Sequence, residues 1–316
     1  MLTKIRYFSL LLIVCGIAWG FHHMNRAELR YENDPCQQKL IFDQPQEVDF
    51  WATGGSRIMR SFITHEFSKA LATSEHVPVV YDMSRSGRSE YHSYIFLRDF
   101  YAQGGKIKNV LLLYDEAPAA RYHAFSFLIG KSSDILDLTI TDPSLVWSRK
   151  IQDFLSLNIK RSSYHLENWI KGFAPKELTE DTRDCTLVEA GVEPHLIVDK
   201  YEKYDRSHSE TLEWDIHSDD NQRIDALILK IIALASKHGT KVYLVVPPIF
   251  LHKALSDEFI RDAEDTLHAT LITPDQATID MLSQVQYFTD EKHMTPEAAA
   301  IHSRWLASEI RKHDSK

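Results

Sequence analysis

Short apolar runs alternate with stretches of helical period along most of this chain. Residues 48–53, 77–81, 110–114, 242–246 and 270–273 are runs of strand length, bounded by polar or turn-forming residues. The runs at 110–114 and 242–246 are apolar at every position, as in strands buried on both faces of a parallel sheet. Pro78 lacks an N–H, which places the second run at a strand start or a sheet edge. Between the runs, residues 57–72 and 89–103 carry helical patterns, the second stopped by Gly104-Gly105. Residues 223–238 are apolar nearly all round and end in a basic turn and Gly239. Thr295-Pro296 caps a last helix whose Ala298, Ile301, Trp305 and Ile310 share a face. Strands alternating with helices predict an α/β fold, a doubly wound parallel sheet covered by helices on both faces.

The regularity fades at 117–220, which reads as a large, mostly helical insertion into a single domain spanning 48–316. Tyr122, Phe125, Phe127, Trp147, Phe154, Tyr164, Trp169 and Phe173 are scattered among its helical fragments, and Asp142-Pro143 is a good start for one of them. These aromatics suit a local core, a lid or a platform for sugar rings. Residues 199–221 are mostly polar and read as a surface loop.

The first residues belong to targeting. Lys4 and Arg6 precede an uncharged stretch at 7–21, which spans about 22 Å as a helix against a hydrocarbon core of about 30 Å. Two readings stay open for 1–23: an uncleaved signal anchor, or a signal peptide cut after Ala18-Trp19-Gly20. Both leave an extended arm at 24–47 and put the body outside the cytoplasm. There Cys36 and Cys185 either pair or remain thiols. The net charge of −9 offers no footprint for a phosphate backbone, which argues against nucleic acid as a partner. The 16 histidines include no His-Glu-x-x-His and no Cys/His zinc spacing, so neither a metal nor another cofactor is expected.

Chemistry in an open parallel sheet gathers at the carboxyl ends of the strands. Gly54-Gly55-Ser56, Ser84-Arg85-Ser86-Gly87, Tyr114-Asp115-Glu116 and Pro247-Pro248 all fall there. Asp290 and His293 precede the last helix and can reach the same rim. A serine hydroxyl becomes a useful nucleophile when an imidazole takes its proton and a carboxylate fixes that imidazole's tautomer. Ser56, His293 and Asp290 supply those three groups, with the Ser56 and Gly87 N–H groups as oxyanion donors. Spacing alone does not choose the pair, because Asp-x-x-His also occurs at Asp205/His208 and Asp265/His268. Arg57 and Arg85 flank the site and suit an anionic group; Tyr114 and Asp115 are further candidates for contact with substrate.

Taken in this order, Thr53-Gly54-Gly55-Ser56-Arg57, Ser84-Arg85-Ser86-Gly87-Arg88-Ser89 and Tyr287-Phe288-Thr289-Asp290-Glu291-Lys292-His293-Met294-Thr295 resemble the motifs of the SGNH/GDSL hydrolase-like superfamily, in its divergent membrane-anchored form. The resemblance covers 48–116 and 222–312. It implies a nucleophile at Ser56, a base at His293, an orienting Asp290 and an oxyanion donor at Gly87. It further implies an esterase or O-acyltransferase acting on acyl groups, usually acetyl, of cell-envelope carbohydrate. The body would be held at the bacterial inner membrane and face the periplasm, or be secreted if the signal is cleaved, with a membrane-bound acyltransferase as a further partner. One departure stands out. Many members carry an oxyanion Asn after the third strand, where this chain has Tyr114-Asp115-Glu116. A competing reading is an envelope protein of the same scaffold that binds glycan or a membrane acyltransferase without turning anything over.

Overall fold

The structure is a computed structural model and describes residues 41, 46–84, 90–114, 146–171, 219–250, 253–290 and 292–315. Five parallel strands form one sheet: β1 (Glu47–Thr53), β2 (Val80–Asp82), β3 (Lys106–Leu113), β4 (Lys241–Val245) and β5 (Thr270–Ile272), in the order β2-β1-β3-β4-β5. The helices are α1 (Ser56–Ser61), α2 (Thr64–Leu71), α3 (Glu90–Ala102), α4 (Trp147–Lys171), α5 (Asp219–Lys237), α6 (Asp257–Leu267), α7 (Gln276–Leu282) and α8 (Pro296–Asp314). The chain divides into two compact units; α4 belongs to one, and the sheet with the other helices to the second.

The apolar runs become strands because only the middle of a sheet hides both of their faces. β1 pairs with β2 through Phe50↔Val80 and with β3 through Phe50↔Asn109, and every residue of β1 after Glu47 is buried. Alternate residues then serve opposite faces. Phe50, Ala52, Leu111, Leu113, Tyr243 and Val245 join Ile58 of α1, Phe67 of α2, Phe62 between them and Leu306 and Ile310 of α8 in one cluster. Trp51, one residue out of phase with Phe50, is fully buried, with its ring centroid 4.8 Å from that of Phe100 in α3.

Three elements differ from the sequence pattern. The second apolar run yields only Val80–Asp82 as strand, which begins after Pro78 and lies at the edge of the sheet. Before it, the Pro78 carbonyl accepts from Ser68 Oγ and the Val79 N–H donates to Asp49 Oδ2, while the Val79 carbonyl accepts the backbone N–H groups of Asp49 and Phe50, so side chains supplement the backbone bonds to β1 there. The predicted helix at 57–72 is two helices, because Phe62 and Ile63 turn to extended conformation. Helix α5 begins at Asp219, inside the stretch read as a polar loop. The Asp142-Pro143 start and the rest of that loop lie outside the described residues.

Among the described residues, no helix is long and apolar enough to cross a membrane, and the segment at 7–21 lies outside them.

Candidate active site

The sheet is all parallel, so the ends of β1, β3 and β4 open on one rim. At the end of β1 the chain must leave the sheet beside β3. Gly54 does this at φ +147°, a conformation essentially reserved for glycine, and a Cβ there would lie 2.5 Å from Leu113 Cβ. Gly55 follows in ordinary extended geometry as the N-cap, and Ser56 opens α1 with an N–H that has no intrahelical acceptor. Thr53 Oγ1 donates to Ser93 Oγ at 2.8 Å, which ties the strand end to α3.

The other half of the site is a short loop closed on itself. Phe288 and Met294 form an antiparallel bridge, the Thr289 N–H donates to the His293 carbonyl, and the Thr295 N–H donates to the Tyr287 carbonyl. Phe288 and Met294 pack with Phe250, Leu282 and Ala298, so the loop has a small apolar foot. At its tip Asp290 Oδ1 accepts the N–H groups of Lys292 and His293 at 2.8 and 2.9 Å. Burial pushes the Asp290 carboxyl upward, but hydrogen bonds from the His293 ring and these backbone donors outweigh it and hold the group below the usual carboxylate range.

These two halves meet. His293 Nδ1 lies 2.6 Å from Asp290 Oδ2, and His293 Nε2 lies 2.7 Å from Ser56 Oγ. An ionised Asp290 only accepts, so Nδ1 carries the proton and Nε2 presents its lone pair to the serine hydroxyl. Ser56 Oγ–H therefore donates to Nε2. The chain Ser56–His293–Asp290 can pass a proton off the hydroxyl and hold the resulting imidazolium.

The remaining sequence candidates fare differently. Arg57, read as a contact for substrate, is buried at 4% exposure and donates through Nη2 to the Pro247 carbonyl. It points inward because a residue next to Ser56 on a helix is turned about 100° away from it. It fastens α1 to the end of β4 and is buried there. Tyr114 is also buried, and its N–H continues the β3–β4 ladder onto the Val245 carbonyl. Gly87, Arg85, Asp115 and the cysteines Cys36 and Cys185 lie outside the described residues, as does Asp205/His208. His268 is the C-cap of α6 in left-handed conformation, a structural place for the second Asp-x-x-His pair. Among the described residues no group of three or more His, Cys, Asp or Glu side chains is placed to hold a metal ion.

Three residues of the site escaped the sequence reading. Arg60 lies one turn beyond Ser56 on α1, on the same side of the helix. Burial lowers its guanidinium, an effect that the charge of Asp290 partly offsets. His302 and Ser303 of α8 repair the break between the first two helices. His302 Nδ1–H donates to the Ser61 carbonyl at 2.8 Å, and the Ile63 N–H donates to Ser303 Oγ at 2.8 Å. The helix that follows the His293 loop thus also pins the helix that starts at Ser56. A signal for this pair existed: both polar residues fall on the buried face formed by Ala298, Ala299, Leu306 and Ile310.

His302 is fully buried, and burial pushes its imidazole down to about 4. Its folded value lies below the unfolded one of about 6.5, so between these limits the unfolded chain binds more protons. The contribution is complete above pH of about 6.5 and is lost as pH falls toward 4. We expect unfolding free energy to fall in that window with a slope approaching about 1.4 kcal/mol per pH unit. His302→Asn, which keeps a donor for Ser61, should flatten it. Urea midpoints between those pH values measure this, and an unchanged slope in the variant would assign the titration elsewhere.

Compared with known proteins, the chain matches no family model and no curated protein.

Proposed function

We propose that the chain is a serine esterase or O-acyltransferase of the SGNH/GDSL hydrolase-like type, built on a doubly wound sheet with a helical insertion. The observation that carries this reading is the hydrogen-bond chain from Ser56 Oγ through His293 to Asp290, at 2.7 and 2.6 Å. In the reaction Ser56 Oγ gives its proton to His293 Nε2 as it bonds to the acyl carbon. The carbonyl π pair moves to oxygen, where the Ser56 N–H at the start of α1 supports the charge. Collapse breaks the bond to the leaving alcohol, which takes the proton from the imidazolium. Water or a sugar hydroxyl then attacks the acyl-serine by the same steps in reverse, which separates hydrolase from transferase only by the acceptor.

The substrate class follows from the resemblance of the three motifs: acyl esters, usually acetyl, on cell-envelope carbohydrate. The body would work on the periplasmic side of the inner membrane, tethered by the segment at 7–21 or released from it, and would receive acyl groups from a membrane-bound acyltransferase if it acts as the second member of a relay. The competing scaffold without turnover finds its support at Tyr114, which stands buried where many family members carry an oxyanion Asn.

The experiment is fluorophosphonate labelling of the full chain read by intact mass, followed by chromogenic acetate turnover with and without added oligosaccharide. A single adduct and faster release with acceptor support a transferase; an adduct without acceptor effect supports an esterase. A folded protein that takes no label supports the scaffold. Asp290→Asn should keep the label but react about a hundredfold more slowly, short of the ~10⁴-fold cost at a fully buried triad aspartate. Its side chain is 47% exposed, so water replaces part of what the carboxylate does. A rate equal to wild type would leave Asp290 without a role in the chemistry.

A further inference from the structure

Helix α4 carries an apolar face with no use in the chemistry above. Trp147, Ile151, Leu155 and Ile159 recur at every fourth position and are each more than half exposed, from 51 to 67%. Ser148, Gln152 and Ser163 are exposed beside them, which gives an uncharged arc of about 160° at about 100° per residue. All seven charged residues of the helix occupy positions outside that arc. They are Arg149, Lys150, Lys160, Arg161 and Lys171 against Asp153 and Glu167, so the helix is basic in a chain of net charge −9. Lys150 Nζ lies 5.4 Å from the centre of the Trp147 ring, at the border between the two faces.

We infer that this face of α4 lies on a lipid bilayer carrying anionic headgroups, with Trp147, Ile151, Leu155 and Ile159 below the headgroups and the exposed Lys160 at their level. An interfacial helix needs this combination of a wide uncharged face, an indole, and basic residues along the opposite side. The geometry disfavours a second helix as occupant. A coiled-coil seam alternates steps of three and four residues to stay in line, whereas constant steps of four drift by about 40° each and spread the stripe over about 120°. Such a face fits a soft plane better than a partner's groove. The sequence already sends 7–21 to a membrane, so α4 would be a second point of membrane contact, independent of the triad reading.

Tryptophan quenching tests this on the full chain reconstituted in phosphatidylethanolamine/phosphatidylglycerol vesicles. Lipids brominated near the top of the acyl chain quench a tryptophan lying just below the headgroups. The difference between wild type and Trp147→Phe isolates this one indole among the six, Trp19 of the apolar segment included. We expect that difference signal to fall at least about twofold with shallow bromines, and less in pure phosphatidylcholine. Ile151→Asn with Leu155→Asn, both at exposed positions, should restore most of it. Equal quenching of wild type and Trp147→Phe overturns the proposal. So does a concentration-dependent dimer whose Trp147 is shielded from every lipid.

Discussion

Ser56→Ala should abolish turnover and fluorophosphonate labelling while leaving the unfolding transition where it is in wild type. The expected loss is at least about 10⁴-fold, since the nucleophile of such a unit cannot be replaced by its neighbours. The fold should not notice, because the Ser56 hydroxyl bonds to His293 on the half-buried rim of the sheet. His293→Ala should lose nearly as much, and the double variant should be no worse than either single one. That non-additivity distinguishes a proton relay from two independent contacts to substrate. Intact mass gives the adduct, and initial rates on a chromogenic acetate give the turnover. Full labelling of Ser56→Ala would move the nucleophile elsewhere; additive losses would mean that His293 serves binding and not the serine.

The strands were legible because burial on both faces leaves an unmistakable apolar run, and β3 and β4 show it best. The meeting of Ser56 with His293 was legible for a different reason. Parallel topology brings the strand ends to one rim whatever the distance in sequence, so two motifs at 56 and 290–293 converge without any local signal joining them. What stayed hidden depends on partners far away or on helical phase. The break at Phe62 and Ile63 interrupts an apolar pattern that runs on through Phe67. It is stable because His302 and Ser303, about 240 residues later, satisfy the Ser61 carbonyl and the Ile63 N–H. Arg60 escaped the sequence reading for want of helical phase. Once α1 is known to start at Ser56, the fourth residue on and not the next one shares its side of the helix. The uncharged arc of α4 was likewise present in the residues, but without a fixed helix start its aromatics read as local core.

Gly54→Ala should cost about 3–5 kcal/mol and lower the melting temperature by about 10 °C. Two effects add at this position. The residue sits at φ +147°, which a side chain resists, and its Cβ would fall 2.5 Å from Leu113 Cβ and 3.0 Å from Ile58 Cγ2. Neither neighbour can withdraw. Leu113 is locked in the central strand by its pairing with Val245, and the clash is with its first side-chain carbon, which no rotamer moves. Ile58 is fully buried one turn into α1. Gly104 separates the two effects, for it also has a positive φ, +87°, but a Cβ there meets nothing within 4 Å. Gly104→Ala should therefore cost only the conformational part, about 1–2 kcal/mol. Urea unfolding of the two variants reads the difference directly. Equal losses would mean that the β1 exit can shift away from β3, and that the position of Ser56 is set by α8 and not by the sheet. A Gly54→Ala protein that still folds at low temperature should also label slowly, because the strain is relieved by displacing the turn that carries the nucleophile.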